Sequence, residues 1–108
     1  MIIGVLSFEL YIRQSQSLKD KRHVVKSVKD RLRSKFNVSV AETDFHEDRK
    51  RSAIAAVMVG TDTAYVQGAL DEIRNLLRGV PGAELGRCEV DFVYGEGDGD
   101  GGFDDYDA

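Results

Sequence analysis

Along 4–12 the chain alternates. Gly4, Leu6, Phe8, Leu10 and Ile12 fall on one side and Ile3, Val5, Ser7, Glu9, Tyr11 and Arg13 on the other, the pattern of a strand covered on one face. Ser17 and Asp20 then have the form of a capping box: a hydroxyl to accept from a free amide, and a carboxylate three residues on that suits the positive helix end. The spacing predicts a helix over 18–35, where Leu18, Val25, Val28 and Leu32, with Val24 beside them, recur as one buried stripe over about five turns. Phe36, Val38 and Val40 next alternate with Asn37, Ser39 and Ala41, which predicts a second strand ending in the polar run Glu42, Thr43, Asp44. Residues 45–51 read as a charged connection. Residues 53–59, small and apolar on both faces, predict a third strand in a central or well-covered position.

Gly60 breaks that strand, Thr61 or Asp62 is suited to cap a second helix, and Val66, Ala69, Leu70, Ile73, Leu76 and Leu77 give the helix an apolar face. Gly79 is the expected stop, with Pro81 just beyond. In the last strand, 84–94, Cys88, Val90, Phe92 and Tyr94 alternate with Arg87, Glu89, Asp91 and Val93. The order βαββαβ, with a right-handed crossover in each half, predicts an α+β, ferredoxin-like domain over 1–94: a four-stranded antiparallel sheet with both helices on one face.

With 108 residues the chain is long enough for one modest core. The formal net charge of −4 hides an uneven distribution, because residues 95–108 hold six acids and no base, leaving +2 on the first 94. That Gly/Asp-rich end buries too little apolar surface to offset its ordering entropy and is expected to be a disordered acidic tail. The single cysteine, Cys88, forms no internal disulfide and no structural zinc site, which fits a reduced cytoplasm. The apolar start lacks a positive n-region and alternates like a strand, and no stretch reaches membrane-span length, so the expectation is a soluble cytoplasmic protein with no membrane partner.

The charge on the first helix is the most informative feature. At 100° per residue, Lys19, Arg22, Lys26, Lys29 and Arg33 share an arc about 80° wide beside the buried stripe. Like charges three and four apart disfavour a helix by a few tenths of a kcal/mol per pair unless an anion relieves them. Lys21, Arg31 and Lys35 raise the bases in 19–35 to eight against Asp20 and Asp30, and Arg49, Lys50 and Arg51 would extend the patch. One reading is an electrostatic footprint for a nucleic-acid backbone; the other is a solvated helix face. A third has the acidic tail folding back over the same face. The third strand carries no aromatic and no RNA-recognition-motif signature, so RNA binding would run through helix and loop charge and favour shape over sequence.

Enzymatic constellations are thin. His46 lies among Asp44, Glu47 and Asp48, but successive loop residues rarely converge on one ion, and the bases at 49–51 oppose a cation. His23 reads as a surface residue and Cys88 as a small inward apolar group. No phosphate-loop, nucleophile-elbow or dinucleotide fingerprint occurs. The acidic positions from Glu96 to Asp107 approximate a calcium loop, without the flanking helices such a loop needs. No catalytic residue, metal, cofactor or small-molecule substrate is expected.

The segment Ser17-Leu-Lys-Asp-Lys-Arg22, the run Arg33-Ser-Lys-Phe-Asn-Val-Ser-Val-Ala-Glu42 and the following Asp44 resemble the YlxP-like family of small bacterial proteins of unknown function, over residues 1–94. The resemblance implies a single ferredoxin-like domain. It also implies a role around the ribosome or RNA, since family genes often neighbour those for translation-initiation and ribosome-maturation factors. Where the family commonly shows Asp-Leu-Trp-Gln-Arg-Ala, this chain has Glu47, Asp48, Arg49, Lys50, Arg51 and Ser52, keeping only the arginine.

The sequence thus favours a non-enzymatic module that binds structured RNA or a ribosomal particle through Lys19, Arg22, Lys26, Lys29 and Arg33, with Arg51 nearby. The alternative is a protein-interaction or self-association domain in which Ile3, Val5, Tyr11 and Val93, on the open sheet face, pair with a second copy.

Overall fold

Strong alternation and well-capped helices produce the expected order in a computed structural model that describes residues 1–95. Strands β1 (Ile2–Tyr11), β2 (Ser39–Asp44), β3 (Arg51–Gly60) and β4 (Glu84–Tyr94) and helices α1 (Leu18–Lys35) and α2 (Thr63–Leu77) follow one another as βαββαβ. The strands form one antiparallel sheet in the order β2-β3-β1-β4, with β1 paired to both β3 and β4. This is the ferredoxin-like arrangement. The expected acidic tail and its calcium-loop pattern lie outside the described residues.

Alternation decides which side is covered. Leu6, Phe8, Leu10, Ile54, Ala56 and Met58 point to the helices and join Val25, Val28 and Leu32 of α1 and Val66, Leu70, Ile73 and Leu77 of α2 in one buried cluster. α1 packs against β2, and α2 lies across β1, β3 and β4. Gly4 lets α2 come this close, since a Cβ there would sit 2.5 Å from Val66 Cγ1 and 3.0 Å from Leu70 Cδ1. Among the described residues no element lies over the other sheet face, so β3 is central in pairing but covered by them on one side only.

Two boundaries differ from the sequence expectation. The second strand begins at Ser39, because Phe36 caps α1 in extended backbone, and it runs on through Glu42 and Thr43 to Asp44. The polar run is therefore strand, and Glu42 occupies a covered-face position opposite Ile54, where a buried cation meets it. Arg51 is the first residue of β3 and not the end of a loop. Gly79 stands just past the end of α2, as expected, Arg78 being the C-cap; the chain tightens there through Gly79 N–H to Leu76 O and Val80 N–H to Leu77 O, and the positive φ of 80° falls at Gly82.

Candidate functional site

The N-terminus of α1 is built by the capping box. The Asp20 amide donates to Ser17 Oγ at 3.1 Å, and Asp20 Oδ2 accepts from the Gln16 amide at 3.0 Å. From that start the basic side chains run along the flank of α1 that faces β2. Arg22, Lys26, Lys29 and Arg33 line a shallow groove of about 440 Å³ together with Val25, Asp30 and Glu42. Lys19 continues the row by one turn, so at 1.5 Å per residue the cationic ridge extends about 21 Å.

The five cations are not equally available. Lys26 Nζ pairs with Asp30 Oδ2 at 2.7 Å. That hydrogen bond, aided by the charges of Lys29 and Arg33, holds the Asp30 carboxyl below its ordinary value. Arg33 Nη2 donates to Val40 O at 3.0 Å, tying the helix to the edge of β2. Lys19, Arg22 and Lys29 make no hydrogen bond or ion pair among the described residues. They are the part of the ridge with charge to spare.

Two basic residues counted with the patch are elsewhere. Lys21 is fully buried, in the stripe of α1 that it shares with Val25, Val28 and Leu32, its Nζ 2.9 Å from Glu42 Oε2, 2.8 Å from Phe45 O and 3.4 Å from both His46 O and Arg51 O. Ser52 Oγ donates to the same Glu42 oxygen at 2.6 Å. Burial by itself opposes ionisation of Glu42, but the donors Lys21 and Ser52 outweigh it and hold the carboxyl below its usual range. Lys21 therefore belongs to the framework: it collects three carbonyls of the 45–51 segment around one ammonium and pins that segment to α1.

Arg51, expected near the ridge, lies on the uncovered face of the sheet, opposite Tyr11 in the β1–β3 register. Strand alternation puts it there, since its neighbour Ser52 takes the covered side. Its guanidinium stacks 3.7 Å above the Phe45 ring, and Nε is 3.8 Å from Glu9 Oε1. Phe45 is the one non-glycine described residue with positive φ, 62°. Sequence reasoning missed Phe45, Glu42 and Ser52 as partners; the polar break after Val40 was the only local sign.

The open-face residues separate into two groups. Ile3, Val5 and Val93 join Val57 and Val59 in an apolar patch at one end of the sheet, with Val59 62% and Val93 53% exposed. Tyr11 is at the other end, its hydroxyl donating to Glu9 Oε1 at 3.1 Å and its ring so close to Gly86 that a Cβ there would meet Cε2 at 2.5 Å. Among the described residues no three His, Cys, Asp or Glu side chains converge to hold a metal. Asp44 and Asp48 turn to the loop amides of Phe45 and Lys50, and His46 Nε2 lies 3.2 Å from Glu42 O. Cys88 is half-buried and takes a 3.5 Å contact from Arg74 Nε. No helix among the described residues is long and apolar enough to cross a membrane.

Comparison with known proteins agrees with this framework. A family model described as "Protein of unknown function (DUF503)" matches residues 3–90. The "Uncharacterized protein YlxP" of Bacillus subtilis (strain 168) is 28% identical over 83 residues, covering 77% of this chain and 90% of that protein. A solved structure, "De novo designed protein Foldit4", superposes with a TM-score of 0.51 at 12% identity over 89% of this chain and all of that one, a likeness of fold alone.

Proposed function

Given that the chain belongs to the DUF503 family, whose description assigns no activity, we propose from the surface it displays that it is a non-enzymatic cytoplasmic module binding structured RNA or a ribosomal particle through α1. The observation behind this reading is the row Lys19, Arg22, Lys26, Lys29 and Arg33, the last four along one open groove, in which Lys19, Arg22 and Lys29 form no ion pair among the described residues. A ridge of about 21 Å spans several phosphates of one strand, and phosphate contacts need charge and spacing but no stacking platform. The absence of aromatics on the exposed side of β3 fits recognition by shape. Arg51, on the other face of the sheet and engaged by Phe45 and Glu9, is not part of this surface.

The test is retention of the purified chain on ribosomal particles and structured RNA at 50 and 200 mM salt. With about four phosphate contacts, affinity should fall by roughly 100-fold between the two. Arg22→Glu/Lys29→Glu reverses two cations that hold no structural bond and should abolish binding while leaving thermal unfolding unchanged. Binding that ignores salt, or survives this double variant, refutes the reading.

A further inference from the structure

Gly95 N–H donates to Met1 O at 2.8 Å, so residue 96 starts from the end of the sheet that carries Ile3 and Val59. Val93, Ile3 and Val59 are register partners and form one apolar row across the uncovered face. Strand β2 begins only opposite Val57, so among the described residues β3 has no strand beside it beyond that point on this edge. The notch left there is a groove of about 400 Å³ lined by Arg33, Asn37, Val38, Ser39, Val57 and Val59. Arg33 also lines the groove of the cationic ridge, so notch and ridge meet at this residue.

We propose that residues 96–107 fold back along this row and dock in the notch, so that the chain's own carboxylates cover the Arg33 end of the ridge. Reach permits it. From Gly95 to the notch is three strand spacings, about 14 Å, and the eight residues to Phe103 extend up to about 26 Å. The pattern of the segment suits the route, since Gly95, Gly97, Gly99 and Gly101 alternate with Glu96, Asp98 and Asp100. An extended run therefore lays glycines over the valines and turns its carboxylates to water. Phe103 then arrives at the apolar wall of Val57 and Val59, and Asp104, Asp105 and Asp107 follow it within about 13 Å. Lys29 stands about 6 Å from Arg33 along α1, inside that span. Arg33 commits Nη2 to Val40 O and keeps its other donors, and Lys29 makes no bond among the described residues.

Tethering favours this occupant over a second copy. A linked segment meets the surface at an effective concentration on the order of millimolar, about a thousand times that of a second chain at micromolar concentration. The contact is apolar at the notch and electrostatic along the ridge, so Phe103 anchors it and salt weakens it. Its consequence for binding rests on the function proposed above: a phosphate backbone has to displace carboxylates from Arg33 and Lys29, while Lys19 and Arg22 at the far end stay open.

Amide NMR spectra of the full chain at about 50 mM salt test the contact without any RNA. Asp104→Asn/Asp105→Asn/Asp107→Asn and, separately, Phe103→Ser should shift the amides of 29–37 and 57–59 relative to wild type. Those of 48–52 and 84–87, at the other end of the sheet, should stay in place. At about 500 mM salt the triple variant and wild type should coincide over 29–37. Carbodiimide coupling of wild type should join Asp104, Asp105 or Asp107 to Lys29 in a yield that dilution does not change. No shifts, shifts spread evenly over the domain, or coupling that fades on dilution, as contact with a second copy would give, overturn the proposal. On structured RNA the triple variant should be retained about two- to tenfold more tightly, the factor for a ridge left free about 50% to 10% of the time. RNA held no more tightly by the triple variant also overturns the proposal. A chain that shows the shifts and binds no RNA refutes the function reading and supports the contact.

Discussion

Replacing Lys21 by Met keeps most of the side chain's volume and removes only its charge and donors. The ammonium is fully buried and gathers Glu42 Oε2, Phe45 O, His46 O and Arg51 O. Removing one partner of a buried ion pair costs about 3–5 kcal/mol, chiefly because the other charge is left behind. Glu42 keeps 16% of its side chain exposed, so water relieves part of that cost and the lower end, about 3 kcal/mol, is expected. Against a total stability of 5–15 kcal/mol this is a large fraction, and at roughly 4–8 °C per kcal/mol it lowers Tm by about 12–24 °C. Urea and thermal unfolding followed by circular dichroism measure it. The decisive comparison is Lys21→Met/Glu42→Leu, which removes both charges. It should cost no more than either single change, giving a coupling energy of about 3 kcal/mol. A loss under about 1 kcal/mol for Lys21→Met, or additive single changes, would refute the assignment of Lys21 to the framework.

The same pair predicts a pH dependence. The Glu42 carboxyl is held below the usual value of 4.5, so its contribution is complete above that value and is lost as pH falls through the lower folded value; Glu42→Gln should flatten the acid limb of a stability-versus-pH curve. Gly4→Ala should destabilise by about 2–3 kcal/mol, because the new Cβ meets Val66 and Leu70 in the packed core, and Val66→Ala should recover part of the loss in the double variant's Tm. Ser17→Ala removes the acceptor for the Asp20 amide and should cost about 1 kcal/mol in urea unfolding. Arg33→Ala frees Val40 O at the β2 edge, and faster amide exchange in 39–44 is the expected readout.

The order of elements, the covered face and the cap of α1 were legible in the chain because each is a local pattern: period two in β1, a stripe at helical spacing in α1, Ser17 with Asp20 at its start. What escaped depends on partners distant in sequence. Helical spacing puts Lys21 in the stripe of Val25, Val28 and Leu32, but its charge groups it with its basic neighbours until β2 and the 45–51 segment close over it, and Glu42 looks like the end of a strand until Lys21 and Ser52 meet it. Arg51 was misplaced for a simpler reason. Its side of the sheet is fixed by the register with Tyr11, and taking the third strand to begin at Ala53 left that register unread. The ridge on α1 was foreseeable, since helical spacing alone aligns it; that Arg33 is tied to Val40 and Lys26 to Asp30 was not.

The join between Lys21 and Glu42 has a bearing on how relatives of this chain are to be sorted. One residue comes from the Ser17–Arg22 segment and the other from the run ending at Glu42, the two stretches by which the chain resembles its family. A search tuned to those stretches therefore selects for both halves of this fastening, whatever the proteins it gathers bind. Lys19 and Arg22 fall inside the first of those stretches, whereas Lys29, on the same ridge and with no internal bond, falls outside both, so it is at Lys29 that a difference in role is to be sought.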